Sequence, residues 1–121
     1  MRVFSRCLFT TLLCVLACQP AYAFSCKVTP GSYLGLGNAG TVNTWVDGVG
    51  ILAICNVSGT AGSTAADTCR AWFSALLTWR SMGKEAWLYF DPANSTNTGA
   101  TSCASFSQWS YHEPYYLEAA P

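Results

Sequence analysis

The chain has 121 residues, with six basic and six acidic side chains and therefore a formal net charge of zero. Hydrophobic residues make up 51% of it and charged residues only 10%. Proteins that bind nucleic acid usually carry an excess of lysine and arginine on one surface. The composition therefore predicts no nucleic-acid partner.

The N-terminus has the organisation of a secretory signal peptide. Arg2 and Arg6 form a short positive segment, an apolar run from Leu8 to Ala17 follows, and Ala21-Tyr22-Ala23 is a small-x-small cleavage motif. We expect cleavage after Ala23 and a secreted or periplasmic protein. The apolar run is short for a bilayer span, and no other segment approaches that length, so membrane insertion is not expected.

Two other interpretations of this segment stay open. One is an uncleaved membrane anchor. The other is lipidation at Cys18, because Val15-Leu16-Ala17-Cys18 loosely resembles a lipoprotein cleavage box. With residues 1–23 removed as a signal peptide, residues 24–121 form one small domain. This domain keeps four basic and six acidic side chains, a formal net charge of −2.

Cysteine usage is the firmest structural feature of the sequence. Three of the seven cysteines lie in the signal peptide, and four remain: Cys26, Cys55, Cys69 and Cys103. An even number in a small exported domain predicts two disulfides, for which three connectivities exist. We favour Cys55–Cys69, which closes a local loop, with Cys26–Cys103, which ties the N-terminus to a late strand. The alternative is a zinc site, which here lacks the usual Cys-x-x-Cys pair.

The first half of the domain reads as loops and strands. Residues 24–40 are glycine-rich and are predicted to be irregular, with a turn at Pro30-Gly31. Thr41–Val46 is a predicted strand, Asp47-Gly48 a hairpin turn, and Gly50–Val57 the returning strand.

A helix follows, because the hydrophobic period changes from two to 3.6 residues. Asp67 is the predicted N-cap and Gly83 the residue just beyond the C-terminus. One apolar stripe is expected to face the core, with Leu76 and Leu77 as its anchors; its members are Cys69, Trp72, Phe73, Leu76 and Leu77.

Three further strands are predicted: Glu85–Asp91, Ser102–Trp109 and His112–Ala119. In the first of them, Ala86, Leu88 and Phe90 alternate with Trp87 and Tyr89. Five strands and one central helix predict an α+β, mainly β fold. The economical arrangement is an OB-like, partly open five-stranded barrel capped by the helix and held by two disulfides.

The sequence carries no recognisable catalytic or metal-binding motif, and we expect no enzymatic activity and no cofactor. His112 is the only histidine. It adjoins Glu113, but neighbours on a strand point to opposite faces, so the pair is not placed as base and orienting acid.

Aromatic residues are the better candidates for a site. The segment 109–116 combines rings with polar tips, as a polyhydroxylated ligand requires. Its candidate ligand-binding residues are Trp109, Tyr111, His112 and Tyr115. Trp87 and Tyr89 are interface candidates because they lie opposite the row that is expected to be buried. The alternative for both groups is burial against the rest of the domain.

The stretch from Gly50 to Phe90 resembles a known family. It has a strand ending in cysteine (ILAIC), a second cysteine fourteen positions later, the helix CRAWFSALLTWRSMGK, and a strand of the type Ala86-x-Leu88-x-Phe90. This pattern resembles the B-subunit-like family of subtilase cytotoxin and pertussis-type toxins. The resemblance implies an OB-type barrel, a Cys55–Cys69 disulfide and, in the toxins, a non-catalytic pentamer that binds sialylated glycans.

The sequence departs from that pattern in two places. Residues 37–41 (GNAGT) lack the serine and the acidic residue that contact sugar in the toxin subunits, and a tryptophan stands at position 79. No ligand contact is therefore carried over. We expect a non-catalytic exported module that binds a cell-surface glycan or a protein partner, with a homo-oligomer such as a pentamer as one possibility. The alternative is a monomeric periplasmic or envelope accessory protein without glycan affinity.

Overall fold

The computed structural model describes residues 22–121. The predicted signal peptide, including Cys18, therefore lies outside the described residues except for its last two. Six strands and one helix are present in the described part of the chain. They are β1 (Phe24–Val28), β2 (Leu34–Leu36), β3 (Thr41–Val46), β4 (Gly50–Asn56), α1 (Ala66–Ser81), β5 (Ala86–Phe90) and β6 (Tyr116–Ala119).

The six strands form one mostly antiparallel sheet in the order β2-β3-β1-β5-β6, with β4 paired to β3. The β3–β4 hairpin has a register shift between Val42 and Asn43, where a bulge adds a residue to β4. Beyond the named strands, Ala53 of β4 forms an isolated parallel bridge with Tyr111. The segment before β6 therefore also reaches the second edge of β4.

Three of the five predicted strands, β3, β4 and β5, are confirmed, and the remaining predictions need correction. Residues 24–40 are not irregular but contain β1 and β2, so the sheet has six strands where five were predicted. The strand predicted over residues 102–109 is wrong: Cys103–Ser105 is a single 3₁₀ turn, in which the Ser102 and Ser105 side chains cap each other's backbone. The last strand is confined to Tyr116–Ala119.

Helix α1 covers nearly the predicted residues, but two details differ. It begins at Ala66 with no side-chain cap, and Asp67 lies in its first turn, where its carboxylate accepts from Arg70. Leu76 is fully buried as predicted, whereas Leu77 is 45% exposed. Successive helical residues are about 100° apart, so Leu76 lies about 20° from Cys69 around the helix axis, whereas Leu77 lies about 80° from it, at the border of the buried face.

Both favoured disulfides are confirmed. Cys26 is bonded to Cys103 and Cys55 to Cys69, in each case with Cα atoms 5.7 Å apart. The core lies between the sheet and α1, and its largest buried side chains include Phe90, Leu52, Ile54, Leu76 and Leu88. Across residues 22–121, no helix combines the length and the apolar character needed to cross a bilayer.

Candidate ligand-binding faces

The outer side of β3 and its neighbours carries a row of large side chains. The N–H of Trp45 donates to the carbonyl of Tyr33 at 3.0 Å, and Trp45 is opposite Ile51 in the β3–β4 hairpin. The N–H of Trp109 donates to the carbonyl of Ile51 at 2.6 Å, which places Trp109 at the end of the same row. Because Thr44 and Val46 are buried, this row points away from the core. We call these four residues the tryptophan face.

Trp109 is the most unusual residue of this face. Its side chain is 59% exposed, and among residues 22–121 it alone of the non-glycine residues has a positive φ, at 65°. The ring packs edge-on against Tyr33, with centroids 6.0 Å apart and planes inclined by 80°. Tyr33 is joined to β3 through Trp45 and Trp109 to β4 through Ile51, so the two rings meet from different strands. The result is an open corner of two perpendicular rings.

Tyr111 lies one step along the same segment and has a structural partner. Its hydroxyl donates to the carbonyl of Ala61 at 3.2 Å. Burial, with a smaller contribution from Glu113, raises the pKa of Tyr111 to about 12. The phenol therefore stays protonated and keeps the loop ahead of α1 attached to this segment.

His112 turns inward, away from the tryptophan face. Its ring stacks on Phe106 with centroids 4.0 Å apart. Its Nδ1 lies against the carbonyl of Thr96 and must carry the proton, because a carbonyl can only accept. Burial lowers the pKa of His112, and the hydrogen bond to Thr96 opposes part of that effect.

Glu113 is 1% exposed and holds the loop before α1. Its carboxylate accepts from the backbone N–H groups of Ser63 and Thr64 at 2.8 and 2.6 Å and from the hydroxyl of Thr64. The side chains of Glu113 and His112 thus have different partners, although the backbone N–H of Glu113 also donates to the hydroxyl of Thr96, at 2.9 Å.

A second aromatic group lies on the outer side of β5 and β6. The ring of Tyr89 is 6.4 Å from that of Tyr115 and 5.6 Å from that of Tyr116, with the planes inclined by 60° and 59°. Tyr115 and Tyr116 are 56% and 51% exposed. The hydroxyl of Tyr89 donates to the carboxylate of Glu118. We call these three rings the tyrosine cluster. Trp87, half-buried, lies beside it, in register with Glu118.

The predicted site residues are therefore spread over different parts of the molecule. Trp109 and Tyr111 follow the edge of β4, His112 is directed into the domain, and Tyr115 joins Tyr89 on the outer side of β5 and β6. Four residues of these two groups were not predicted from the sequence as site residues: Tyr33, Trp45, Tyr116 and Glu118. The outward direction of Trp45 could have been predicted, because it alternates along β3 with the buried residues Val42, Thr44 and Val46. Tyr33 and Trp109 are 76 positions apart, and no local pattern joins them.

The carboxylates of the described residues mostly stabilise local structure. Asp47 accepts from the hydroxyl of Thr29, Asp91 from the backbone N–H of Ala93, and Asp67 from Arg70. Within residues 22–121, no group of three or more His, Cys, Asp or Glu side chains is placed to hold a metal ion.

Comparison of the chain with protein-family models, with curated proteins and with solved structures finds no match. Its function has therefore to be inferred from its own residues and contacts.

Proposed function

We propose that this chain is an exported, non-catalytic binding module that holds a carbohydrate on its tryptophan face. One observation carries the proposal: Trp109 is widely exposed while its backbone is held at a positive φ. A left-handed backbone costs a residue other than glycine roughly 1–2 kcal/mol. An exposed ring gains little stabilisation from burial that could offset this cost, so the position of the ring is best explained by contact with a ligand.

The chemistry of the tryptophan face suits a sugar ring. A pyranose presents a flat surface of C–H groups that packs on an indole, while its hydroxyls need polar partners at the rim. The edge-on Tyr33 supplies a second ring and a hydroxyl. Asn43 lies two positions before Trp45, on the same side of β3, and supplies an amide group. No lysine or arginine belongs to this row, which favours an uncharged sugar.

The architecture that we propose is an OB-type, partly open barrel. Its support is the pair of contacts made by the C-terminal segment, which would close the sheet. The N–H groups of Trp109 and His112 donate to carbonyls of β4, at 2.6 and 2.9 Å, and further along the same segment β6 pairs with β5. In such barrels, the face of the second and third strands, with the adjoining loops, binds oligosaccharides. Here the corresponding hairpin, β3–β4, carries the tryptophan face.

Export and the absence of catalysis are parts of the same proposal. Two disulfides within residues 22–121 suit an oxidising compartment. The carboxylates Asp47, Asp67, Asp91 and Glu113 are occupied with backbone or side-chain partners rather than arranged around a cleft. A single sugar contact is weak, so several copies in a homo-oligomer would provide useful avidity.

The test is retention of residues 24–121 on a broad array of uncharged and sialylated glycans. We expect Trp109→Ala to abolish retention. Tyr115→Ala is the matched control, since it also removes an exposed ring but from the tyrosine cluster, and it should retain the glycan. Failure of the unaltered domain to bind any glycan, or equal losses in the two variants, would overturn the proposal and favour the monomeric envelope accessory protein.

A further inference from the structure

The tyrosine cluster is separate from the tryptophan face and has a different chemistry. Tyr89 is the shared neighbour of two exposed rings, and both are tilted against it rather than stacked on it. Rings tilted in this way meet at a corner, and the exposure of Tyr115 and Tyr116 leaves part of their electron-rich faces open there. Glu118 is fixed at this corner through the hydroxyl of Tyr89.

The charges around the tyrosine cluster are not balanced. Lys27 lies on the same outer surface, in register with Trp87 of β5. Its ammonium group is paired with Glu85 at 2.8 Å and approaches Asp47 at 4.0 Å. Within residues 22–121, none of the salt bridges includes Glu118. The corner therefore combines a negative carboxylate with negative ring faces and has no cation of its own.

We propose that Tyr89, Tyr115, Tyr116 and Glu118 form a second binding site, which takes the trimethylammonium group of a small choline-type molecule. Aromatic faces attract a cation within about 6 Å of the ring centroid, and quaternary ammonium ligands are the usual occupants of such groups of rings. Methyl groups also bury apolar surface against the rings. A primary ammonium is less suitable, because it is strongly hydrated and would lose hydrogen bonds to water that the ring faces do not replace.

Tyr89 has a positioning role in this site. Its hydroxyl donates to Glu118, and this hydrogen bond is the main reason that the pKa of Tyr89 is raised. The phenol therefore remains a donor near neutral pH and keeps the carboxylate beside the rings. Tyr116, opposite Tyr89 in the β5–β6 pairing, supplies an exposed ring face that is not needed to fill the core.

The experiment is a titration of residues 24–121 with choline, followed by tyrosine fluorescence and NMR chemical shifts. The control ligand is 3,3-dimethyl-1-butanol, which has the shape of choline without its charge. We expect choline to bind at least about fivefold more tightly than this alcohol, a factor that corresponds to about 1 kcal/mol. Equal binding of the two ligands, or no response to tens of millimolar choline (on the order of 10–50 mM), would overturn the proposal.

Variants locate the site. Tyr116→Leu should weaken choline binding about fivefold or more, whereas Tyr116→Phe, which keeps the ring, should retain it. Glu118→Gln should also weaken binding. Tyr116 is 51% exposed, and Glu118→Gln keeps the length of the side chain and an oxygen that can accept from Tyr89, so circular dichroism should show all three variants folded. Unchanged binding by Tyr116→Leu would overturn the assignment of this site. Binding of a trimethyllysine peptide about tenfold tighter than choline would overturn the small-molecule assignment.

The outcome is independent of the glycan proposal. Trp109→Ala should leave choline binding unchanged, since Trp109 contacts Tyr33 and not the tyrosine cluster. Loss of choline binding in that variant would contradict the separation of the two sites.

Discussion

Replacing Trp109 with glycine should give a more stable protein than replacing it with alanine. Both substitutions remove the ring and its contact with Tyr33. They differ in the backbone, since φ at this position is 65°. Alanine keeps the left-handed cost of roughly 1–2 kcal/mol. Glycine avoids it but loses roughly 0.5–1 kcal/mol through the greater freedom of the unfolded chain. With the midpoints of the two ranges, the balance favours glycine by about 0.75 kcal/mol.

The measurement is thermal unfolding of the two variants side by side. For a domain of about 100 residues, 1 kcal/mol shifts the Tm by roughly 4–8 °C, so the glycine variant should melt about 3–6 °C above the alanine variant. Tyr115 provides the control, because it is also an exposed ring but has no positive φ. There the order should reverse, with Tyr115→Gly less stable than Tyr115→Ala.

The same two variants separate folding from function at Trp109. Neither has a ring, so both should lose glycan retention to the same extent although one is the more stable. An alanine variant that melts at or above the glycine variant would show that the backbone at this position is not left-handed. The reason for assigning Trp109 to a ligand would then disappear.

Three further predictions concern stability. In denaturant unfolding, Leu76→Ala should lower the free energy of unfolding by roughly 2–5 kcal/mol. Leu77 is 45% exposed, so Leu77→Ala should lower it by less than about 0.5 kcal/mol. Similar losses in the two variants would mean that α1 does not pack on the sheet through the face that contains Leu76. The Cys26–Cys103 disulfide spans 77 positions and the Cys55–Cys69 disulfide spans 14. Replacing both cysteines with serine should therefore lower the free energy of unfolding by about 4.5 kcal/mol for the first and about 3 kcal/mol for the second, because the longer loop restricts the unfolded chain more. A larger loss for the second would contradict this explanation. Burial lowers the pKa of His112 below its ordinary 6.5. As the pH drops below about 6.5, the unfolded chain therefore takes up the proton first, and the free energy of unfolding should fall. The His112→Asn variant should lack this part of the fall, and a variant with the same pH profile as the unaltered protein would refute the prediction.

The sequence predicted those elements whose pattern is local. The β3–β4 hairpin could be found because Asp47-Gly48 lies between two apolar runs, and Gly48 does adopt a positive φ, of 80°. The end of α1 was predicted for a similar reason, with Gly83 at a φ of 66° just beyond the last turn. The pairing of the four cysteines also followed from position along the chain.

Elements that depend on distant partners were missed. β1 is only five residues long, and it pairs with β5 along its whole length, some sixty positions later in the chain. Such a strand is stabilised by its neighbour rather than by its own composition. Residues 102–109 contain rings and a cysteine, which suggested a strand. In the structure, the Cys26–Cys103 disulfide and the mutual capping of Ser102 and Ser105 hold this segment as a turn.

The candidate site shows the same limit. The aromatic run 109–116 was identified from composition, but a single site was expected where the structure divides the rings between two groups, at β4 and at β5. A regular strand would alternate its side chains between two faces. This segment is not a regular strand: it hydrogen-bonds to β4 at His112 and to β5 at Tyr115. A segment that changes its hydrogen-bonding strand within three residues cannot be predicted from the spacing of hydrophobic residues along the chain.

Glu113 lies at the point where the segment changes neighbours, and it explains how one short run can contribute rings to both of the proposed binding sites. Its carboxylate is anchored to the N–H groups of Ser63 and Thr64, and its own carbonyl accepts from Asn97 at 2.8 Å. A buried carboxylate with several donors is costly to move, because any displacement leaves those groups without partners. The rings before Glu113 are thus fixed against β4 and those after it against β5. Because the centre of this aromatic-rich segment is held in place, the proposed sugar site and the proposed cation site should not depend on each other.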